Sequence, residues 1–129
     1  MGLDNGIIVH NAKNKYKGIK DFWKDIDSRD DIEVAYWRKC WGIRNQILTV
    51  LNKDLEGGED YKLNAIELKF VIKLLKEFTK RGYWDEYADS IWEYDEFKDQ
   101  QKRIIKNLKK IQREMKKDPN IEVYFYDSY

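Results

Sequence analysis

A chain of 129 residues with 25 Lys and Arg against 24 Asp and Glu has the length of one domain and a net charge of +1, too weak a field to seize duplex DNA by its phosphates. One cysteine, Cys40, and one histidine, His10, exclude a disulfide framework and a Cys/His zinc cluster. Hydrophobic residues make up 42% and charged residues 38%, no run approaches the roughly 20 apolar residues of a membrane span, and Met1-Gly2-Leu3-Asp4-Asn5 is not a signal or transit sequence, so a single cytoplasmic domain over 1–129 is expected.

Gly6-Ile7-Ile8-Val9-His10, a β-branched run between two asparagines, reads as a buried strand. Residues 11–31, rich in Lys, Asp and Asn, read as a loop with one short helical turn around Ile19 to Ile26. Ile32-Glu33-Val34-Ala35 reads as a second strand feeding a helix, because from Tyr36 onward Trp37, Cys40, Trp41, Arg44, Ile47, Leu48 and Leu51 recur at three and four. That helix is expected from about Tyr36 to Asn52.

Gly57-Gly58 marks a turn within Asp54 to Asp60. Leu63-Asn64-Ala65-Ile66-Glu67-Leu68 then opens a second helix, with Asn64 as N-cap, Glu67 at N3, and Leu63 and Leu68 as a hydrophobic staple. Leu68, Val71, Ile72, Leu75 and Phe78 form its buried face, and Lys80-Arg81-Gly82 closes it. Residues 83–97 alternate aromatics with acids and indicate no firm conformation. A third helix is expected over 94–117, with Phe97, Ile104, Ile105, Leu108, Ile111 and Met115 inside, ended by Asp118-Pro119-Asn120. Ile121 to Tyr126 alternates as a strand. The fold class these elements imply is α+β: about three helices packed on a small antiparallel sheet containing the N- and C-terminal strands.

Three clusters are candidates for function. Tyr36, Trp37, Arg38, Lys39 and Arg44 set stacking rings beside cations, which suits a nucleotide base and its phosphates; the competing reading makes Trp37 and Trp41 core residues, with Arg38 and Lys39 solvated or ion-paired. Tyr94 and Asp95, in the acid-aromatic stretch, supply a rim whose carboxylates accept ribose hydroxyls or base amines; the competing reading is a packed loop kept soluble by its acids. Lys106, Lys109 and Arg113 share one face of the basic third helix and suit phosphates or an acidic protein, against the plainer reading of a solvated face. His10 and Cys40 have no nucleophile or base partner that the sequence identifies, and Glu56-Gly57-Gly58-Glu59 lacks the lysine of a phosphate loop. No catalytic set, metal or cofactor is expected.

Four short motifs in order, Met1-Gly2-Leu3-Asp4, Glu33-Val34-Ala35-Tyr36-Trp37-Arg38-Lys39, Glu93-Tyr94-Asp95-Glu96-Phe97 and Phe125-Tyr126-Asp127-Ser128-Tyr129, span the chain. Through them it resembles a family of small tailed-phage and prophage proteins of unassigned function, which open on such a strand, carry Tyr-Trp-Arg-Lys at a helix start and end on an aromatic strand. Where those proteins continue with an Asn, then a His and a Trp, this chain holds Trp41, Arg44 and Gln46, so no reaction shared through those positions is expected. The resemblance implies a phage accessory protein acting against host defence in the bacterial cytoplasm. Two expectations follow: a non-enzymatic sponge that sequesters a small nucleotide-derived signal, or an anti-CRISPR-like inhibitor that docks on a host defence nuclease or effector. A homodimer is expected to cover Tyr124 and Tyr126 on an edge strand; membrane association and specific duplex DNA binding are not expected.

Overall fold

The computed structural model of the chain describes residues 3–13, 15–22, 30–38, 40–81 and 94–128. Its elements are β1 (Asp4–Val9), β2 (Ile32–Arg38), α1 (Trp41–Val50), β3 (Asp60–Leu63), α2 (Ala65–Arg81), α3 (Tyr94–Lys117) and β4 (Val123–Ser128). The strands form one antiparallel sheet in the order β2-β1-β4-β3, so the first and last strands pair at its centre, as the α+β reading expects. Because β4 has a neighbour on both sides, Tyr124 and Tyr126 do not lie on an edge, and that reason for a homodimer falls away. The second neighbour is β3, whose residues Asp60-Tyr61-Lys62-Leu63 carry little strand character of their own and take it from pairing with β4.

Strand alternation divides the sheet into two faces. Ile7 and Val9 of β1, Val123 and Phe125 of β4, and Leu63 of β3 point to the helices and are buried. Against them α1 brings Ile43 and Ile47, α2 brings Leu68, Val71 and Leu75, and α3 brings Phe97, Ile104 and Leu108. The apolar faces predicted for α2 and α3 are the ones buried, with Phe78 and Met115 packed at their margins.

α1 is shorter than the spacing predicts. Tyr36, Trp37 and Arg38 continue β2 and pair with Gly6, Asn5 and Asp4. The helix begins only at Trp41, where the Arg44 N–H donates to the Cys40 carbonyl at 3.0 Å. A run of Val, Ala, Tyr and Trp beside an available partner strand satisfies its backbone in the ladder, and that outweighs a three-and-four spacing local to the chain. At the other end Asn52 adopts a left-handed φ of 58°. Its N–H donates to Thr49 at 3.0 Å and that of Lys53 to Leu48 at 2.8 Å, the paired bonds that close a helix C-terminus.

α2 starts as read. The Asn64 N–H donates to Glu67 Oε1 at 3.0 Å, the Glu67 N–H donates to Asn64 Oδ1 at 2.8 Å, and Leu63 and Leu68 are buried beside them. Gly82 and residues 83–93 lie outside the described residues. Of the helical turn expected around Ile19 to Ile26, residues 19–22 are irregular and 23–26 lie outside the described residues. Among the described residues no helix is long and apolar enough to cross a membrane.

Replacing the cap, Asn64→Ala, is expected to lower stability by about 1 kcal/mol, measured as a lower urea midpoint at unchanged slope. An unchanged midpoint would mean that the reciprocal cap contributes nothing.

Candidate functional site

The face of the sheet turned away from the helices carries the candidate site, and an irregularity in β2 decides which side chains reach it. Ala35 pairs with Ile7 but Glu33 pairs with Ile8, leaving Val34 as an extra residue. Strict alternation would put Glu33 on the same side as Ala35 and Trp37; the bulge shifts the parity by one and turns Glu33 to the open face. The Val34 carbonyl accepts from Asn107 Nδ2 of α3 at 3.0 Å. The same amide group donates to the Lys20 carbonyl at 2.8 Å and accepts from the Lys20 N–H at 3.2 Å. Asn107 therefore ties α3 to the bulge and to the loop before β2. That loop runs along the strand, with the Phe22 N–H donating to the Glu33 carbonyl at 2.9 Å and the Glu33 N–H to Asp21 Oδ1 at 3.1 Å.

The result is a groove of about 610 Å³ lined by Asp4, Phe22, Glu33, Tyr36, Asp60 and Tyr126, with Ile8 and Ser128 beside them. Each groove phenol donates to a carboxylate, Tyr36 to Asp4 Oδ1 and Tyr126 to Glu33 Oε2, both at 2.6 Å, the length of a charge-assisted bond. Burial, then the bond to Asp4, raises the Tyr36 phenol well above its ordinary range. Burial, then the charge of Glu33 and the bond to it, does the same for Tyr126. Both phenols are therefore hydrogen-bond donors at any physiological pH. Gly6 makes room for this arrangement, since a Cβ there would meet the Tyr126 ring at 2.9 Å and run into the Ala35 carbonyl. Glu33 is only 1% exposed and anchors Tyr126 from beneath, whereas Asp4, Phe22 and Tyr36 are half-buried and Asp60 is exposed.

Of the ligand set predicted from sequence, Tyr36 lines this groove, and Arg38, exposed at the end of β2, stands across from Asp4. Trp37 and Arg44 do not join them. Trp37 is 1% exposed on the core face, and its indole N–H donates to Gln101 Oε1 at 2.9 Å. Arg44 is buried too, donating from Nε and Nη2 to Asp127 Oδ2 at 3.0 and 2.9 Å and from Nη1 to Asn45 Oδ1 at 2.8 Å. The Gly58 N–H reaches the same Asp127 oxygen at 3.1 Å, and a Cβ on Gly57, whose φ is +60°, would collide with both partners. Arg44 thus neutralises an internal carboxylate and is not presented to phosphate. The shared helical face expected of Trp37 and Arg44 does not exist, because one is on a strand and the other on a helix.

Asp127 Oδ1 and the side-chain amide of Asn5, its cross-strand neighbour, are buried without a hydrogen-bond partner among the described residues. Lys39 and the side chains of Tyr94 and Asp95 lie outside the described residues. Lys106, Lys109 and Arg113 are on α3, behind the sheet. His10 stacks on Tyr124 with ring centroids 4.4 Å apart and faces Glu122 at 3.4 Å, and Cys40 is buried, both in keeping with their structural readings. Sequence reasoning missed Asp4, Phe22, Glu33, Asp60 and Tyr126 as members of one site. The alternation of Tyr124 and Tyr126 with apolar residues in the last strand was the available signal for a polar open face.

Two outcomes follow. Asp127→Ala strands a buried guanidinium and is expected to cost about 3–5 kcal/mol, read from urea unfolding; a loss below about 1 kcal/mol, the value of an exposed pair, would contradict its burial. The raised phenol values mean that the stability contributed by Tyr36 and Tyr126 is fully present below the unfolded phenol pKa of about 10 and is lost as pH rises through the folded values. Spectrophotometric titration of the nine tyrosines is expected to show a late-ionising class that Tyr36→Phe and Tyr126→Phe each diminish. Ionisation of all of them together near the ordinary value, with the fold intact, would contradict the groove geometry.

Comparison with protein-family models, with curated proteins and with solved structures gives no match.

Proposed function

We propose that this chain is a binding protein that holds the nucleoside end of a small nucleotide-derived signal in the groove on the open face of its sheet, and that it antagonises host defence, as a phage accessory protein, by sequestering that signal. The observation that carries this reading is the juxtaposition of aromatic walls from Phe22, Tyr36 and Tyr126 with the carboxylates of Asp4 and Asp60. A base stacked on an aromatic ring gains about 1–3 kcal/mol. Base amines and ribose hydroxyls donate, and ionised carboxylates only accept, so the groove complements a nucleoside in shape and in hydrogen bonding.

The same acids decide the orientation. Asp4, Glu33 and Asp60 repel phosphate from the middle of the groove, so the phosphate end would point out past Asp4, toward the end of β2 where Arg38 pairs with it. A volume of about 610 Å³ is within the range of about 300–1,000 Å³ that holds one small ligand. Binding without turnover suits the phenols, which are held protonated and already engaged with carboxylates, and so are not bases near neutral pH.

Isothermal titration against a panel of cyclic and ADP-ribose-type nucleotides is the test. At least one is expected to bind tighter than about 10 μM, roughly −7 kcal/mol. Tyr36→Ala is expected to weaken it about tenfold, a stacking loss of roughly 1.4 kcal/mol. If no panel member binds that tightly, the sponge is wrong; tight binding indifferent to Tyr36→Ala and Asp60→Asn would move the ligand out of this groove.

A further inference from the structure

Behind the sheet, α2 and α3 build a second surface of opposite character. Ile66, Phe70 and Lys73 follow one another at four and three along α2, and Ile66 is 65% and Phe70 47% exposed. Lys69, Lys73 and Lys76 flank them, and with Phe70, Ile72 and Gln112 they line a groove of about 450 Å³ between the two helices. Lys76 beside it, with Arg113 as a lesser cationic neighbour, lowers the Lys109 ammonium of α3 below the ordinary lysine range. Among the described residues, none of Lys69, Lys73, Lys76, Lys109 and Arg113 has an ion-pair partner. Glu114, the acid next to Arg113, is committed to Lys110 at 3.3 Å and Lys117 at 3.8 Å.

Gathering like charges this closely is unfavourable until an anion arrives, and large apolar side chains left exposed among them mark a contact surface. We infer that the α2–α3 face is a docking surface for an acidic, amphipathic protein segment, whose carboxylates meet the lysines while an apolar side chain covers Phe70. Charge complementarity sets the sign of the partner, and Ile66 and Phe70 set its class. A polynucleotide presents phosphates along its whole track, whereas this cationic stripe is short, interrupted by apolar side chains, and set in a molecule of net charge +1. Lys109 and Arg113 were expected to contact a partner; the α2 lysines, Phe70 and the groove between the helices are new. The surface faces away from the sheet groove, so the inference does not rest on the nucleotide reading.

Fluorescence anisotropy with a labelled helical peptide, bearing glutamates at four-residue spacing and leucines on the same face, measures the interaction; single-stranded oligo(dT) of matched charge is the second probe. The peptide is expected to bind with a Kd on the order of 100 μM or tighter at low salt. The double variant K73E/K109E is expected to weaken it at least about tenfold, F70A to weaken it while the oligonucleotide is indifferent to F70A, and oligo(dT) to bind less tightly than the peptide. K69E/R113E provides a second pair on the same surface, and circular dichroism with thermal melting checks that each variant folds. Peptide binding weaker than about 1 mM, peptide binding unaffected by the charge reversals or by F70A, or tighter binding of oligo(dT) would each overturn the inference.

Discussion

A guanidinium and a carboxylate withdrawn from water together hold the far parts of this fold in place. Arg44 on α1 and Asp127 on β4 have side chains 4% and 0% exposed, and a buried charge without its partner is costly enough to exclude any arrangement that separates them. The Gly58 N–H donates to the same oxygen, and Gly57 leaves the space that a side chain would occupy. One ion pair therefore fixes α1, the last strand and the turn before β3 relative to one another. β3 then lies along β4, and Asp60 arrives on the open face as a wall of the groove.

A second constraint acts at the other edge of the sheet. Inserting Val34 into β2 exchanges the faces of the residues before it, and Asn107 satisfies the carbonyl at the bulge while holding the loop that brings Phe22 forward. Groove geometry thus depends on α3, through the Asn107 amide at the bulge and through the Gln100 amide, which donates to the Tyr36 carbonyl at 3.0 Å, although α3 packs on the opposite side. Glu33 is the beneficiary: buried, it accepts from the Tyr126 phenol and holds that ring close against Gly6.

Near-neutral charge conceals how unevenly the charge is distributed. The groove on the sheet gathers Asp4, Glu33 and Asp60, while the helical face gathers Lys69, Lys73, Lys76, Lys109 and Arg113. The near balance of 25 basic and 24 acidic residues keeps the field at long range small while leaving two local surfaces of opposite sign.

Local physics made much of the fold legible in the sequence. The reciprocal cap at Asn64 and Glu67, the apolar stripes of α2 and α3, the stop at Pro119 and the alternation of the last strand depend on neighbours within a few residues, and each is found, the strand itself running over Val123–Ser128 instead of from Ile121 to Tyr126. Trp37 is buried, as its core reading expects, but it lies on a strand and not a helix, because strand and helix patterns overlap over so short a span and only the partner strand β1 resolves them. The candidate site was less legible. Tyr36 and Arg38 were singled out from their own neighbourhood, but Asp4, Glu33, Asp60 and Tyr126 meet only after strands far apart in the chain have paired, and the bulge that turns Glu33 outward has no signature in β2 itself. Arg44 was taken for a ligand for the same reason: a cation's role is set by whether it is desolvated and by which carboxylate meets it, and that is decided by packing across the fold.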